Sequence, residues 1–234
     1  MSNHFDDQFS FSRDYYLNHL DFLNWFRYYH LVKDVLRLGA FDVLEIGTGS
    51  GMVRNCLKPL VHDYRVLDIN PHLSPDVVAD VRVPQLELLG RFDCVIAADV
   101  LEHLPFADLA IAATNLFTYL KPGGYILITI PHRQSNFLFM SPTQVPYVFT
   151  VPTGFLSLGA FYRRFIKRRI WIDPNHCWEI GDGHVHIRDV EDCFISCGYS
   201  VEKFDKLLYV DYWVLKKPET PDQAASRNIL KSGD

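Results

Sequence analysis

The sequence lacks the marks of several broad classes of protein. Its five cysteines are odd in number and include no Cys-x-x-Cys pair, which argues against a disulfide framework or a zinc ribbon. A basic excess is missing too: 23 Lys and Arg against 28 Asp and Glu give a net charge of -5, so no global positive field attracts nucleic acid. Residues 1–16 lack the basic start and apolar core of a secretory signal, which predicts a cytoplasmic protein.

The chain has 234 residues, 48% of them hydrophobic, which suits one α/β domain. Apolar residues recur at helical spacing over 15–38, and a short apolar run at 41–46 follows as a strand. The run breaks into Gly47-Thr48-Gly49-Ser50-Gly51 before a second helical stretch at 52–60. This order predicts a strand, a glycine turn and a helix, preceded by an N-terminal helical cap over 1–40.

Strand and helix patterns then alternate. Continuous apolar runs are typical of strands that a parallel sheet buries on both faces. The last two strands have no helix between them, which predicts an antiparallel pair. The sequence therefore predicts a doubly wound α/β sheet. The predicted strands are 65–69, 77–81, 92–97, 125–130, 199–204 and 206–215; helical segments are predicted at 84–89, 106–120 and 187–197, and a turn at 121–124.

An insertion interrupts this pattern after the fifth strand. Residues 134–162 contain no charged side chain, and 163–169 then hold five cations in seven residues. Prolines interrupt the uncharged stretch too often for a transmembrane helix. We predict a lid or substrate insertion over 132–186, between core segments 41–131 and 187–216, with a flexible tail at 217–234. The aromatic part, 137–169, is interpreted either as an apolar cap or dimer contact, or as a peripheral membrane contact.

The glycine turn indicates a nucleotide-like ligand, because closely spaced glycines let the backbone approach it. Met52 occupies the third position of the dinucleotide fingerprint, and no Gly-Lys-Ser/Thr follows, so NAD, FAD and a phosphate loop are disfavoured. Asp68, 17 residues beyond Gly51, is placed to accept the two hydroxyls of a ribose. With Glu45, it makes a pocket suited to a cationic nucleoside without phosphates, as S-adenosylmethionine is.

Four segments together resemble the class I S-adenosylmethionine-dependent methyltransferases. The resemblance implies a seven-stranded, mostly parallel, Rossmann-like sheet whose last strand is antiparallel. Residues 176–186 and 198–199 also resemble the distal half of the subgroup that contains ubiquinone-type and other small-molecule methyltransferases. The four segments are VLEIGTGSG at 43–51, VLDINP at 66–71, FDCVIAADVLEHL at 92–104 and LKPGGY at 120–125.

The resemblance also implies the cofactor contacts. The glycine-turn positions and the preceding glutamate would hold the methionine end, Asp68 the ribose hydroxyls, and Ile69 the adenine ring. Asp80 would accept the adenine amino group, Val81 would add a backbone contact, and Ala98 would place a carbonyl near the methionyl ammonium. The predicted cofactor residues are Glu45, Gly47, Thr48, Gly49, Gly51, Asp68, Ile69, Asp80, Val81 and Ala98.

Histidines are the candidates for work on the methyl acceptor. His103, five residues beyond Ala98, is a candidate general base, although Glu102 and His103 could merely begin and cap the next helix. His132 follows the fifth strand and is expected to face the cleft. A second group lies close together in the sequence, but its spacing is not that of a standard metal site, so we predict substrate-pocket residues and no metal. This group is His176, His184 and His186, near Cys177 and Asp182.

The predicted reaction is methyl transfer to a small or amphiphilic metabolite, with oxygen the favoured acceptor atom over nitrogen or carbon. Three alternatives remain open: a nucleic-acid methyltransferase, a protein methyltransferase and a catalytically silent cofactor-binding partner. Asp99-Val100-Leu101-Glu102 is not the Asn/Asp-Pro-Pro-aromatic motif of enzymes that methylate base amino groups, so no nucleic-acid partner is expected. The sequence does not decide between a monomer and a homodimer.

Overall fold

The computed structural model describes residues 21–132, 134–140, 146–152, 158–167 and 172–220, with positions 13, 17 and 142. A seven-stranded sheet in the order β3-β2-β1-β4-β5-β9-β8 forms its centre, and β9 alone runs in the opposite direction to the other six strands. The predicted doubly wound, mostly parallel sheet is confirmed. Its strands are β1 (Asp42–Ile46), β2 (Asp63–Asp68), β3 (Val77–Val78), β4 (Phe92–Ala98), β5 (Leu120–Pro131), β8 (Ser200–Lys206) and β9 (Val210–Lys216).

Helices cover both faces of this sheet. One apolar cluster joins α1 and α2 to one face, and a second joins α3 and α5 to the other. Neighbouring β1 residues show the alternation, because Val43 packs in the first cluster and Leu44 in the second. The helices are α1 (Phe22–Arg37), α2 (Met52–Leu57), α3 (Leu109–Tyr119), α4 (Leu158–Phe161) and α5 (Ile187–Ser196).

The termini of the chain extend beyond the described residues. Within them, α1 begins at Phe22, where the carboxylate of Asp21 accepts a hydrogen bond from the Asn24 amide at 2.8 Å. Most of the predicted helix before Asp21, and residues 221–234 of the predicted flexible tail, lie outside the described part. Residues 217–220 are irregular, and the Lys217 ammonium donates to the carbonyls of Phe117 and Leu120, both at 2.8 Å.

The structure corrects one predicted boundary, at residues 121–124. They were predicted as a turn, but they lie within β5 as a bulge, since Phe92 pairs with Leu120 and Cys94 with Tyr125. Gly123 has φ +79°, and a Cβ on Gly124 would lie 2.9 Å from the Lys121 carbonyl oxygen. One further boundary differs, because β3 ends at Val78 rather than at 81. The helical turn predicted at 84–89 is present as a short 3-10 turn, Leu86–Leu88.

The insertion after β5 contains a β-hairpin, for which the sequence analysis made no prediction. Strands β6 (Gln134–Met140) and β7 (Pro146–Pro152) pair antiparallel, and Leu138 and Val148 pack against the first apolar cluster. A short helix and a π-helical turn, Tyr162–Ile166, follow. None of the described helices is long and apolar enough to cross a membrane. Exposed apolar side chains on this segment include Phe137, Phe139, Met140, Tyr147, Phe149, Leu158, Phe161, Tyr162, Phe165 and Ile166.

One short turn offers a matched test of the core. Leu86 and Leu88 belong to the same 3-10 helix, but Leu88 is fully buried and Leu86 is 81% exposed. We expect Leu88→Ala to lower the free energy of unfolding by about 2–5 kcal/mol, because it leaves a cavity in the core. Leu86→Ala should change it by less than about 0.5 kcal/mol. Urea denaturation measures both, and equal effects would contradict this packing.

Candidate active site

A cavity of about 620 Å³ opens at the carboxyl ends of the central strands. The cavity lies where the strand order changes direction. Strands β2 and β3 are on one side of β1, and β4 is on its other side. Open α/β sheets bind ligands at this kind of switch point. Most residues predicted from the sequence meet here. The predicted residues that line the cavity are Gly47, Gly49, Asp68, Ile69, Asp80, Val81, Ala98, His103 and His176.

The glycine turn has the backbone shape that a bound nucleoside needs. Gly47, Gly49 and Gly51 all have positive φ, at +72°, +47° and +70°, a region that side-chain-bearing residues rarely adopt. A Cβ on Gly47 would lie 2.6 Å from Val100 Cγ2, so the β1 and β4 loops approach too closely for any larger residue. A Cβ on Gly49 would meet no atom within 4 Å, which leaves open space beside the backbone.

Asp68 lies at the end of β2 with its carboxylate held by the backbone. The amide of Thr48 donates to Oδ2 at 2.9 Å, and the amide of Asn70 donates to Oδ1 at 2.8 Å. Each carboxylate oxygen can accept a further hydrogen bond, so the group remains able to bind a pair of hydroxyls. Ile69 beside it is 43% exposed and offers an apolar surface to a ring.

Asp80 lines the same cavity but already has a cationic partner. The Arg82 guanidinium contacts both of its carboxylate oxygens, at distances down to 2.6 Å, and lowers the pKa of Asp80. Arg82 also donates to Asp108 at 2.8 Å. Arg82 therefore holds the carboxylate of Asp80 in place, and any ligand that Asp80 binds would share this carboxylate with Arg82.

Three predicted cofactor residues do not line the cavity, all of them within the described part of the chain. Thr48 and Gly51 belong to the glycine turn but do not line the cavity, and Glu45 is buried two residues before Gly47. Burial raises the pKa of Glu45 to about 8, with a smaller contribution in the same direction from Asp68, while the Tyr64 hydroxyl opposes the shift. Glu45 therefore lies behind the cavity wall, protected from solvent.

The N-terminal helix supplies residues that sequence reasoning missed. Arg27 on α1 lines the cavity and forms a salt bridge with Asp99, which follows β4 with φ +53°. Asp99 also accepts hydrogen bonds from Thr129 at 2.6 Å and Tyr209 at 3.1 Å. The Tyr28 hydroxyl lies 2.9 Å from Ser50 Oγ in the glycine turn. A weak signal was present in the sequence, because Arg27 is the one cation in the largely aromatic stretch 22–29.

A cluster of acids and imidazoles forms the opposite end of the cavity. His103 Nδ1 lies 2.9 Å from the Asn175 carbonyl, and His176 Nδ1 lies 2.7 Å from Glu179 Oε1. The two rings meet edge to face, with their centroids 4.8 Å apart. Burial lowers the pKa of His103, which favours the neutral form of its imidazole.

Glu102 lies beneath these rings and is fully buried. Neither of its carboxyl oxygens has a hydrogen-bond partner among the described residues. Burial raises its pKa to about 8, and Glu179 adds to the rise. Glu102 and His103 belong to the 3-10 helix Leu101–His103, which agrees with the alternative that they begin the next helical segment, and the side chain of Glu102 is at the same time fully buried.

Three histidines predicted to face the cleft lie elsewhere. His132 is 4% exposed and places Nε2 3.2 Å from the Leu207 carbonyl, so the end of β5 buries it beneath the β8–β9 connection. His184 and His186 line a separate cavity, and His186 is the N-cap of α5. Of the predicted substrate histidines, only His176 reaches the main cavity. Adjacency in the sequence misled here, because Gly181 and Gly183 turn the chain away with positive φ.

Comparison with known proteins identifies the domain. A family model described as a methyltransferase domain matches residues 22–201. The chain is 27% identical over 151 residues to the ubiquinone biosynthesis O-methyltransferase of Xanthomonas euvesicatoria, covering 58% of this chain and 61% of that protein. The chain thus spans about three fifths of the length of the curated relatives it matches.

Solved structures share the fold at low identity. The N-methyltransferase NodS of Bradyrhizobium japonicum, in complex with S-adenosylhomocysteine, gives a TM-score of 0.53 at 16% identity, covering 89% of this chain and 99% of that one. The 1,6-didemethyltoxoflavin-N1-methyltransferase of Burkholderia thailandensis, with its substrate and S-adenosylhomocysteine bound, gives 0.54 at 13%, covering 88% and 85%. Together with the family match, they establish that this chain belongs to the class I S-adenosylmethionine-dependent methyltransferases.

Proposed function

We propose that this protein transfers a methyl group from S-adenosylmethionine to a hydroxyl of a small or amphiphilic molecule. The observation that carries the proposal is a single cavity that joins a glycine turn and an anchored aspartate at one end to two imidazoles at the other. The first end suits a nucleoside, and the second suits an acceptor that must lose a proton.

Each residue that lines the cofactor end of the cavity has a proposed role. Asp68 would accept the ribose hydroxyls, and Ile69 would pack on the adenine. Asp80 and Val81 would contact the adenine edge, and the Ala98 carbonyl would accept from the methionyl ammonium. The turn of Gly47 and Gly49 leaves the open space that the methionine portion requires. Glu45 would act from behind the turn, where a bound cationic ligand would favour the charged form of its carboxyl group.

Arg27 is the further residue that we assign to this end. Its guanidinium lines the cavity beside the glycine turn, and its buried Nε has no hydrogen-bond partner among the described residues. A donor of this kind fits the carboxylate of an amino acid. Asp99 holds the guanidinium, and Thr129 and Tyr209 hold Asp99 in turn, so the helix that carries Arg27 would cover the bound methionine.

The acceptor end would work on a hydroxyl proton. The cofactor supplies an electrophilic methyl on a sulfonium, whose sulfur keeps the electron pair of the broken S–C bond. The acceptor oxygen forms the new bond and must lose its proton. With Nδ1 of His103 facing a carbonyl, Nε2 holds a free lone pair, which can receive a proton or a metal ion. Either use places His103 against the acceptor hydroxyl.

The size and charge of the site favour a small acceptor. A volume of about 620 Å³ falls in the usual range for small-molecule sites. A net charge of -5 and the aspartates of the cavity wall do not suit a polyanion, which counts against the nucleic-acid alternative. The name of the ubiquinone-pathway relative favours oxygen as the acceptor atom, whereas the two structural neighbours named above are N-methyltransferases.

The insertion supports amphiphilic character. The described hairpin side chains do not line the cavity, and they expose Phe139, Met140, Tyr147 and Phe149 by about 60% each. An exposed apolar patch of this kind marks an interaction surface. We infer that these exposed side chains of the hairpin serve a peripheral membrane contact or an amphiphilic acceptor, rather than a wall of the cofactor pocket.

The cofactor assignment is tested by two aspartates on one strand. Asp68→Asn keeps the side-chain shape but removes the charge that would hold the ribose, so we expect S-adenosylhomocysteine to bind about 10- to 100-fold more weakly. Asp63→Asn makes the same change at the other end of β2, where Asp63 pairs with Arg65, and should leave binding within about 2-fold. Calorimetric titration measures both, with thermal melting to verify folding. Equal affinities would contradict the assignment.

The acceptor assignment is tested by two histidines. We expect His103→Ala to lower methyl transfer to hydroxyl-bearing small molecules by about 100-fold or more, with S-adenosylhomocysteine affinity unchanged. His184→Ala, in the separate cavity, should leave both unchanged. The assay measures transfer of labelled methyl to phenols, amines, peptides and RNA. Label on RNA or peptide would overturn the substrate class, and cofactor binding with no transfer to any acceptor would favour the silent partner.

A further inference from the structure

The acceptor end brings three metal-ligating side chains together. Glu102, His103 and His176 each offer a ligand atom, and these atoms all lie within 4.8 Å of one another. Residues of two separate segments meet here: Glu102 and His103 follow β4, whereas His176 comes from the insertion after β5. The metal interpretation weighed for the sequence used a different set, His176 with His184, His186, Cys177 and Asp182, and the structure separates the members of that set.

Both imidazoles are oriented in the way that metal-bound imidazoles are. His103 Nδ1 faces the Asn175 carbonyl and His176 Nδ1 faces the Glu179 carboxylate, so each of these nitrogens carries the proton and donates it. This leaves the lone pair of Nε2 free on each ring. Anchoring of the distal nitrogen by a carbonyl or carboxylate is the usual outer shell of a histidine metal ligand.

Glu102 is the acidic member of the set. Its side chain is fully buried, and neither carboxyl oxygen accepts a hydrogen bond within the part of the chain that is described. An isolated carboxylate without a partner is costly to bury, and a bound cation would offset that cost. His176 Nε2 lies 4.0 Å from Glu102 Oε1. Two ligands of one tetrahedral ion lie about 3.4 Å apart, so small side-chain rotations complete the site.

We propose that Glu102, His103 and His176 bind one divalent transition-metal ion at the acceptor end of the cavity. Two imidazoles and one carboxylate suit zinc and its first-row neighbours, whereas magnesium and calcium favour sets of oxygen ligands. Three protein ligands leave a fourth coordination position open, and two of them, His103 and His176, line the cavity. Glu179 is a positioning residue, because it acts through His176.

The use of this ion rests on the proposed function. An acceptor hydroxyl in the open position would bind through its oxygen, and the ion would lower the pKa of that hydroxyl. The proton would then leave to solvent rather than to His103. This also narrows the substrate class to molecules whose acceptor hydroxyl can reach a metal, such as phenols and hydroxy acids.

Metal titration of the full chain tests the site without any methyl acceptor. After removal of metal by a chelator, Co²⁺ should bind at one ion per chain with a visible absorption spectrum, and Zn²⁺ should displace it. His176→Asn and Glu102→Gln should each weaken Co²⁺ binding by at least about 10-fold. His184→Asn, a histidine change in the other cavity, is the matched control and should bind Co²⁺ as the unaltered protein does.

The readouts keep this proposal separate from the proposed function. The absence of stoichiometric Co²⁺ binding, or an equal loss in His184→Asn, would overturn the site. Thermal melting verifies that Glu102→Gln folds, and His103→Asn gives a second ligand variant if it does not. S-adenosylhomocysteine should bind the metal-free protein unchanged, whereas transfer should fall on metal removal and return with Zn²⁺. If the protein binds Co²⁺ but methyl transfer does not fall when the metal is removed, the proposed use of the ion in the reaction is overturned and its role is structural.

Discussion

The contact between the β1 and β4 loops is the constraint on which the site depends. Gly47 turns with positive φ directly after β1, and a Cβ there would collide with Val100 after β4. Because the two loops lie this close, the backbone of the glycine turn forms one wall of the cavity, and the segment from Ala98 to Val100 forms the next. This contact requires β1 and β4 to be parallel and adjacent. The topology of the sheet therefore determines the shape of the site.

The N-terminal helix completes what the two loops begin. Tyr28 reaches the glycine turn through Ser50, and the neighbouring Arg27 reaches Asp99 at the end of β4. One helix turn thus spans both walls of the cavity. Asp99 holds a strained backbone conformation and collects three side-chain partners, which is how a fold fixes a residue at a functional site.

Local sequence determined the parts of the structure that could be predicted. The glycine turn, Asp68 and the buried strands depend on short motifs whose geometry follows from backbone chemistry. The sheet and most of the cavity residues could therefore be predicted from these motifs. The histidines could not be placed in this way. His132 and His186 have the same residue type as His103, and only long-range packing decides that β5 buries one and α5 is capped by the other. The roles of Arg27 and Glu102 also depend on tertiary neighbours that no local pattern encodes.

The function proposed for this protein requires the cavity at the β1–β4 switch point to bind S-adenosylmethionine and its demethylated product rather than a dinucleotide. Calorimetric titration of the full chain with S-adenosylhomocysteine, and separately with NADH, distinguishes the two ligands. We predict saturable binding of S-adenosylhomocysteine at one site per chain and no heat with NADH. Binding of NADH, or no binding of S-adenosylhomocysteine, would contradict the account.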